Sequence, residues 1–230
     1  MAKYVKTEEG YKLKTGEGTA GKEYIINDAA VIAGEGAEIF NDYTDNIATG
    51  YYSHAEGIRT TASGDQSHAE GYGTEASGTS SHAEGWDTTA SGRHSHAEGA
   101  YTTASGRYSH AEGSNTTASE ESSHAEGFYT TASASYSHAE GNNTTALGLN
   151  SHVQGRFNVV DTNNTYVHIV GNGESDVARS NAHTLDWDGN AWFAGEVYIG
   201  GTAQSEGKQL VTKEYVDEML GDIEALLAAI

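Results

Sequence analysis

Small and polar residues recur through the middle of the chain with a period of fourteen. The segment SHAEG, which reads SHVQG in its last copy, begins at Ser53, Ser67, Ser81, Ser95, Ser109, Ser123, Ser137 and Ser151. A second segment, TTASG and its near-copies, begins at Thr60, Thr74, Thr88, Thr102, Thr116, Thr130 and Thr144. Both follow one formula: a hydroxyl residue, a variable residue, Ala, a variable residue, usually Gly, and two free positions. Each period therefore predicts two short strands and two turns.

Strand geometry assigns these residues to two faces. Because side chains alternate along a strand, Ser53, Ala55 and Gly57 lie on one face, and His54 and Glu56 lie on the other. We predict that the face of small residues is the interior, since only Ser, Thr, Ala and Gly recur there. Coils this slender would stack in parallel at about 4.8 Å per coil and would need few large apolar residues.

The composition excludes several classes of protein. The chain has 230 residues, with 33 acidic and 12 basic side chains and neither Cys nor Pro. Its formal charge of −21 argues against binding nucleic acid or an anionic membrane, both of which require clusters of Lys and Arg. The lack of Cys removes disulfide scaffolds and thiolate sites. No apolar stretch is long enough to span a bilayer, and the N-terminus lacks the apolar region of a secretion signal, so we expect a soluble protein without membrane insertion.

The pattern changes at both ends of the repeats and predicts four regions. We expect an N-terminal cap or attachment segment at 1–45, a β-roll at 46–155, a β-rich distal module at 156–207 and a C-terminal trimeric coiled coil at 208–230. The altered last copy, SHVQG, is the expected cap of the roll. The coiled coil is predicted from apolar residues at alternating spacings of three and four, namely Val216, Met219, Ile223, Leu226 and Ile230. A helix this short is marginal alone and must associate.

The half-repeat S/T-x-A-x-G-x-x resembles the left-handed parallel β-roll head of trimeric autotransporter adhesins and the haemagglutinin-type repeats of bacteriophage tail proteins. The resemblance implies an all-β fold and a homotrimer. Those heads usually carry aliphatic residues where His54 and Glu56 stand, and no signal peptide or anchoring barrel is evident, which favours the phage version. The later segment ARSNAHTLDWDGNAWFAGEVYIGG resembles C-terminal parts of phage tail-fibre and tailspike proteins, some of which belong to self-cleaving chaperone domains.

The outward face of the SHAEG strands carries the first candidate site, a column of stacked His and Glu side chains. Its members are His54, Glu56, His68, Glu70, His82, Glu84, His96, Glu98, His110, Glu112, His124, Glu126, His138, Glu140 and His152. Carboxylates about 4.8 Å apart would repel each other by about 3 kcal/mol per pair at an effective dielectric near 20, so we expect protonated imidazoles to neutralise them.

We favour a column that faces the axis of a trimer and joins its subunits. A solvated outward ladder and a metal or anion site are the alternatives. We expect no metal, because zinc requires three or four converging ligands and a fixed second shell, which a repeat alone does not supply.

Aromatic residues form the second candidate site, since several occupy the free positions after SHAEG, where the fold does not dictate the residue. Ligand contact with sugar rings or peptide and packing between subunits are both open interpretations. Two tryptophans of the later region are included, with burial in a core as their alternative. The candidates are Tyr72, Trp86, Tyr101, Phe128, Tyr129, Trp187 and Trp192.

We expect a structural, receptor-binding component of a phage or phage-derived tail, located in the virion and assembled in the host cytoplasm. Its partners would be two further copies, other tail or baseplate proteins at the N-terminus, and a host surface glycan or protein. We expect neither cofactor nor enzyme activity, because the chain lacks GxSxG, HExxH and P-loop motifs. The alternatives are a bacterial surface adhesin, a self-processing tailspike chaperone segment with cleavage near Glu174, and an ice-binding solenoid built on an outward column of Thr.

Overall fold

A computed structural model describes residues 45–195 with their side chains. It also gives the backbone of six short strands at the two ends: Lys3–Thr7, Gly10–Leu13, Val31–Ile32, Glu38–Phe40, Tyr198–Ile199 and Lys208–Gln209. The chain divides into two compact units, Met1–Ala191 and Trp192–Ile230. All regular structure in the described part is β-strand. The predicted coiled-coil seam, from Val216 to Ile230, lies outside the described residues.

Each coil contributes one long and one short strand, as the fourteen-residue pattern predicts. The long strands are His54–Ile58, His68–Tyr72, His82–Trp86, His96–Ala100, His110–Ser114, His124–Phe128, His138–Asn142 and His152–Arg156. The short strands are Ile47–Ala48, Thr61–Ala62, Glu75–Ala76, Thr89–Ala90, Thr103–Ala104, Thr117–Ala118, Thr131–Ala132 and Thr145–Ala146. The long and the short strands form two separate sheets.

Successive coils stack in parallel and in exact register. His82 pairs with His68 on one side and with His96 on the other, and Ala, Glu and Gly follow the same rule. The backbone N–H of His68 donates to the carbonyl of Ser81 at 2.9 Å. Because every coil repeats these bonds, the sequence period becomes a stacking period. The fold is an all-β parallel β-solenoid, which confirms the predicted fold class.

Small side chains fill the interior, as predicted. The Ala at the third position of each segment is fully buried, from Ala48 to Ala146, and the Ser and Thr that open each segment are buried with it. The hydroxyl of Ser81 donates to the carbonyl of Gly78 at 2.7 Å, so this inward polar group closes a turn. An interior this narrow explains how a chain with few large apolar residues folds.

The glycine of SHAEG lies elsewhere than predicted. The alternation of side chains along the strand predicts an interior position for this glycine, as for Gly57. Gly85, which has the equivalent position in a later coil, is instead exposed and has a φ of +111°. A Cβ on Gly85 would also lie 2.1 Å from the carbonyl oxygen of Gly99 on the next coil. Glycine is required here because the backbone adopts a positive φ within the strand and the next coil passes close by.

Parallel stacking continues beyond both ends of residues 46–155, so the altered copy SHVQG does not cap the roll. The strand Tyr166–Asn172 pairs in parallel with His152–Arg156, with Val153 beside Ile169. At the other end, Glu38–Phe40 pairs in parallel with the strand that begins at His54. In both terminal coils the paired residues are sixteen apart rather than fourteen. The predicted domain boundaries themselves stay predictions.

An antiparallel strand pairs with the outermost parallel strand at each end of the stack. Asn181–Asp186 pairs antiparallel with Tyr166–Asn172, and Lys3–Thr7 pairs antiparallel with Glu38–Phe40. The strand Ala191–Phe193 follows the first of these along the chain. A change of strand direction thus ends the parallel stack at both ends.

Two buried asparagines occupy the Thr position of the repeat where the regular coils end. Asn46 accepts a hydrogen bond from the N–H of Thr60 at 3.0 Å. Asn158 accepts one from the N–H of Thr145 at 2.8 Å and donates to the carbonyl of the same residue at 3.0 Å. An amide side chain satisfies backbone groups that a further regular coil would otherwise pair.

Candidate functional site

The outward residues of the long strands form the predicted column of His and Glu. Each Glu contacts the His of the following coil, as in the pair Glu126 Oε1 and His138 Nε2 at 3.2 Å and the pair Glu84 Oε1 and His96 Nε2 at 3.6 Å. From His68 to His152 the imidazole rings stack face to face, with centroids 4.7 Å apart and an interplanar angle of 2° for His68 and His82, whereas His54 packs edge-on against His68. Strand register fixes this arrangement, because identical side chains recur at every coil.

Three histidines of the column, His68, His82 and His124, have pKa values shifted away from the charged form that the sequence predicts. Burial, followed by repulsion from His54 and His82, lowers the pKa of His68 to about 4. Burial is also the main cause of the lowered pKa of His82 and His124. The expectation of protonated imidazoles is therefore wrong for these residues, because burial and like neighbours outweigh the nearby carboxylates.

Hydrogen bonds between neighbouring carboxyl groups instead shift their pKa values in opposite directions. Hydrogen bonds with Glu56 and Glu84 raise the pKa of Glu70 to about 7, and a hydrogen bond with Glu112 raises the pKa of Glu98. The same bonds to Glu70 lower the pKa of Glu56 and Glu84. Raised and lowered pKa values thus alternate from Glu56 to Glu98, which relieves the predicted repulsion in this stretch of the column.

The column also brings together metal-ligating atoms. Five groups of three side chains have ligand atoms within 4.8 Å of one another, including the group of His96, Glu98 and His110. Three converging ligands are thus available where the sequence alone did not supply them. The His and Glu side chains of these groups already contact one another along the column, so their geometry is explained without an ion.

The column remains partly exposed in the single chain. His110 and Glu112 each keep about a third of their side-chain surface accessible, at 34% and 33%. The Nε2 atom of His110 is nevertheless shielded from solvent. The face is thus a continuous polar strip that further packing would bury, and its role as a subunit interface stays a prediction.

The predicted contact aromatics lie on exposed edges, with one exception. We call the free positions after each SHAEG segment the first turn edge. Trp86, Tyr101, Phe128 and Tyr129 are exposed there, whereas Tyr72 is half-buried. The rings of Tyr72 and Trp86 stack with centroids 4.5 Å apart. These side chains form a surface rather than a core within the described chain.

The two later tryptophans are also exposed in the single chain, so they do not belong to its core, and their burial between copies stays a prediction. Trp187 is 48% exposed and its indole N–H donates to the carbonyl of Asn164 at 3.0 Å. Trp192 is 56% exposed. Trp187 therefore meets its hydrogen-bonding requirement at the surface and leaves much of its ring accessible.

Backbone geometry holds the edge residues in fixed positions. The second free position of each turn has a positive φ, as in Tyr101 at 57° and Tyr129 at 54°. Its N–H donates to the first free position of the preceding coil, and the bond from Tyr101 to the Trp86 carbonyl is 2.8 Å long. This conformation costs a non-glycine residue about 1–2 kcal/mol, which the inter-coil hydrogen bonds offset.

The sequence analysis missed a second set of exposed side chains. The free positions after each TTASG segment form what we call the second turn edge. Arg93, His94, Arg107 and Tyr108 are neighbours there on two successive coils and are all exposed. The same period that marked the first edge identifies these positions, but only the stacked structure shows that they form one cluster.

Two weaker alternatives also have a place in the structure. The outward Thr column predicted for ice binding is present on the short-strand sheet as Thr61, Glu75, Thr89, Thr103, Thr117, Thr131 and Thr145. Near the suggested cleavage segment, Ser175 forms a bridge with Ala178, and Asp176 is ion-paired with Arg179 at 2.6 Å. Ice binding and self-processing both stay predictions.

Three segments of the solenoid match the YadA head domain repeat: residues 55–74, 97–119 and 125–151. They cover less than half of the chain and lie within the regular coils. No curated protein matches the chain. In the described part of the chain, no helix is long and apolar enough to cross a membrane. The match supports the predicted resemblance to adhesin head repeats, and an origin in a phage tail stays a prediction.

Proposed function

We propose that this protein is an adhesin-like appendage in which three copies of the solenoid form a rigid rod that binds a host cell surface. We further propose that it serves a phage or phage-derived tail, located in the virion and assembled in the host cytoplasm. The observation that carries the proposal is the unbroken His and Glu column on one flat face, which a single chain leaves about one-third exposed. The resemblance to trimeric adhesin heads supports the number of copies.

The column fits an interface between copies for an electrostatic reason. Lowered pKa values keep His68 and His82 neutral near pH 7, and shared protons reduce the charge of the carboxyl ladder. Bringing three such faces together therefore costs less desolvation than bringing three fully charged faces together. The turn residues differ from coil to coil, whereas His recurs in every long strand although it lies outside the core.

Adhesion is assigned to the turn edges because they carry the exposed aromatic residues. Trp86 is 49% exposed and stacks on Tyr72, which gives a flat apolar surface of the kind that binds sugar rings or peptide. Three edges on one rod raise avidity, because the second and third contacts form at a high effective concentration. The N-terminal region would attach the rod to other tail or baseplate proteins.

A bacterial surface adhesin is the second candidate function. The match to the YadA head domain repeat favours an adhesin, whatever particle or cell carries it. The resemblance of residues 178–201 to phage tail-fibre segments favours the tail. Immunogold labelling of induced lysates against labelling of intact producer cells separates the two, since a tail protein labels particles and an adhesin labels the cell surface.

The assembly test uses the absence of cysteine from the chain. His110→Cys introduces a single thiol on the column, and Thr117→Cys introduces one on the outward face of the other sheet. We expect a trimeric mass by sedimentation equilibrium. We also expect a short bis-maleimide to cross-link the His110→Cys chains but not the Thr117→Cys chains. A monomeric mass would refute the trimer, and the reverse cross-linking pattern would refute the assigned interface.

The adhesion test compares two exposed tryptophans. We expect fluorescently labelled protein to bind host cells and Trp86→Ala to weaken that binding severalfold, with an unchanged melting temperature because the ring lies outside the core. Trp187→Ala removes an exposed indole of the later region, so a loss of binding in Trp187→Ala alone would assign the contact to that region instead. Equal binding by all three proteins would remove adhesion from the first turn edge.

A further inference from the structure

The second turn edge contains a concentration of positive charge on an acidic molecule. Residues 45–195 hold five arginines, no lysine and eighteen acidic residues. Two of the arginines, Arg93 and Arg107, occupy the same turn position on successive coils. The N–H of Tyr108 donates to the carbonyl of Arg93 at 2.9 Å, which places the two coils in direct backbone contact there. The two arginines therefore lie next to each other on adjacent coils.

Aromatic rings complete this cluster. His94 and Tyr108 stack with centroids 5.3 Å apart and an interplanar angle of 5°. The turns on either side carry the small residues Ser80 and Ser122, and the Ser80 hydroxyl donates to the Gln66 side chain at 3.1 Å. The ring pair is therefore flanked by small residues at this turn position. The outer face of His94 is left open, whereas the Arg107 guanidinium covers the Tyr108 ring.

The two arginines differ in how they are engaged. The Arg107 guanidinium lies over the Tyr108 ring at 4.4 Å, donates to the Tyr108 hydroxyl at 2.7 Å and contacts Glu121 at 3.6 Å. Arg93 forms no ion pair or hydrogen bond through its side chain within the described part of the chain. One guanidinium is thus held in place by Tyr108 and Glu121, and the other is available beside it.

We propose that the cluster of Arg93, His94, Arg107 and Tyr108 binds an anionic glycan. The apolar face of a sugar ring packs on the open face of His94, which Tyr108 supports from the other side, and its carboxylate or phosphate accepts hydrogen bonds from the two guanidinium groups. Charge complementarity argues for this ligand, because an anion is repelled by the acidic surface elsewhere and attracted here. The inference rests on the proposed adhesive function and names the ligand class of one edge.

The test measures glycan binding by biolayer interferometry with the whole chain. Alginate oligosaccharides present carboxylates, poly(glycerol phosphate) presents phosphates, and dextran is the neutral control. We expect at least one anionic glycan to bind and dextran to bind at least tenfold more weakly. Arg93→Ala/Arg107→Ala should weaken anionic binding about tenfold or more, since each lost guanidinium removes a charge-assisted contact.

Matched variants separate a local site from general charge. Arg59→Ala/Arg156→Ala changes the net charge equally but on the first turn edge, and it should leave binding unchanged. Tyr108→Ala should weaken anionic binding, because it removes the ring that supports His94 and Arg107. Tyr136→Ala is its control and should leave binding unchanged, because Tyr136 is an exposed tyrosine at the same turn position without a neighbouring arginine. Melting temperatures of all variants should match that of the parent.

The inference is overturned if no anionic glycan binds, if both arginine pairs weaken binding equally, or if single-stranded DNA binds as well as the glycans. Host-cell binding is measured in parallel with the same variants. Retained cell binding by Arg93→Ala/Arg107→Ala would overturn this site and leave the proposed adhesive function in place. If the parent protein does not bind host cells, the proposed function itself is overturned.

Discussion

The middle coils and the terminal coils pack the same interior with different side chains. In the middle, Ala111 lies between Ala97 and Ala125, and all three are fully buried. At the C-terminal end, the same column continues with Val153 and Ile169. The alanine column fits where an identical coil lies on both sides, whereas larger residues fill the space where the coil spacing changes.

The polar groups of the two regions differ in the same way. The buried hydroxyl of Thr116 in the middle has no hydrogen-bond partner within the structure, whereas that of Thr144 donates to the carbonyl of Glu140 at 3.0 Å. Further along this column, Asn158 replaces Thr and bonds to backbone. Repetition thus secures the backbone bonds of the middle, and specific side chains secure those of the ends.

The largest expected effect comes from a substitution that disrupts the stacking of the middle coils. Gly85→Ala should cost on the order of 3 kcal/mol or more, because it combines backbone strain at a φ of +111° with a Cβ that collides with the Gly99 carbonyl. Gly189→Ala is the control, since Gly189 has a φ of +86° but nothing within 4 Å of its Cβ position. Urea melts should show a loss of about 1 kcal/mol for the control. Equal losses would show that steric stacking does not require this glycine.

The second prediction exchanges the core residues of the two regions. Ala111→Val should destabilise the chain by about 1–3 kcal/mol, because no space remains between two identical coils. Val153→Ala should cost about 1–2 kcal/mol through the cavity it leaves next to Ile169. Denaturant unfolding measures both. A stabilised Ala111→Val protein would mean that the middle coils tolerate the packing of the ends.

The third prediction concerns the carboxyl ladder, which ends where Gln154 replaces Glu. The raised pKa of Glu70, about 7 against an ordinary 4.5, means that its contribution to stability falls as pH rises through this window. Glu70→Gln should therefore gain melting temperature relative to the parent between about pH 4.5 and 7. The pKa of Glu84 is lowered, so Glu84→Gln should lose melting temperature above pH 4.5. Identical pH profiles for the two variants would contradict proton sharing in the ladder.

The fourth prediction concerns the loss of stability on acidification, which His68 of the column contributes to. His68 has a pKa of about 4 in the folded chain against an ordinary 6.5, so unfolding takes up a proton between these values and stability falls on acidification below about pH 6.5. Thermal melts from pH 4 to 8 should show this loss. His68→Asn should reduce it, and an unchanged acid limb would exclude His68 as a cause.

The smallest expected effect sharpens the contrast between the unpaired and the paired hydroxyl. Thr116→Val should be neutral or should stabilise the chain by up to about 1 kcal/mol, since it replaces an unpaired buried hydroxyl with a methyl group. Thr144→Val should cost about 1 kcal/mol, because it leaves the Glu140 carbonyl without its donor. Chemical denaturation of the two variants side by side is sufficient. A destabilised Thr116→Val protein would indicate that its hydroxyl has a partner after all.

Much of the fold could be predicted from the sequence because the repeat converts local alternation into global structure. The inward positions of Ala55 and Ser53 and the outward positions of His54 and Glu56 follow from strand periodicity. The extension of the stack to Ile169 was missed, because its coil is two residues longer and does not repeat the motif. The exposure of Gly85 was missed because the alternation of inward and outward side chains fails at a residue with a positive φ.

The candidate site was predictable in its membership but not in its chemistry. The sequence places the His and Glu residues in one column, yet the protonation of Glu70 and the neutrality of His68 depend on burial and on distances between coils. The cluster around Arg107 and Tyr108 likewise required the structure, since those residues share a surface with Arg93 only after stacking.

The sequence by itself determined the period, the parallel coils and the small-residue interior, because each of these follows from spacing and side-chain volume within one repeat. The tertiary structure decided where the stack ends, which carboxyls hold protons and which turn residues meet on adjacent coils. Those properties depend on distances between side chains of adjacent coils, and such distances exist only once the coils have stacked.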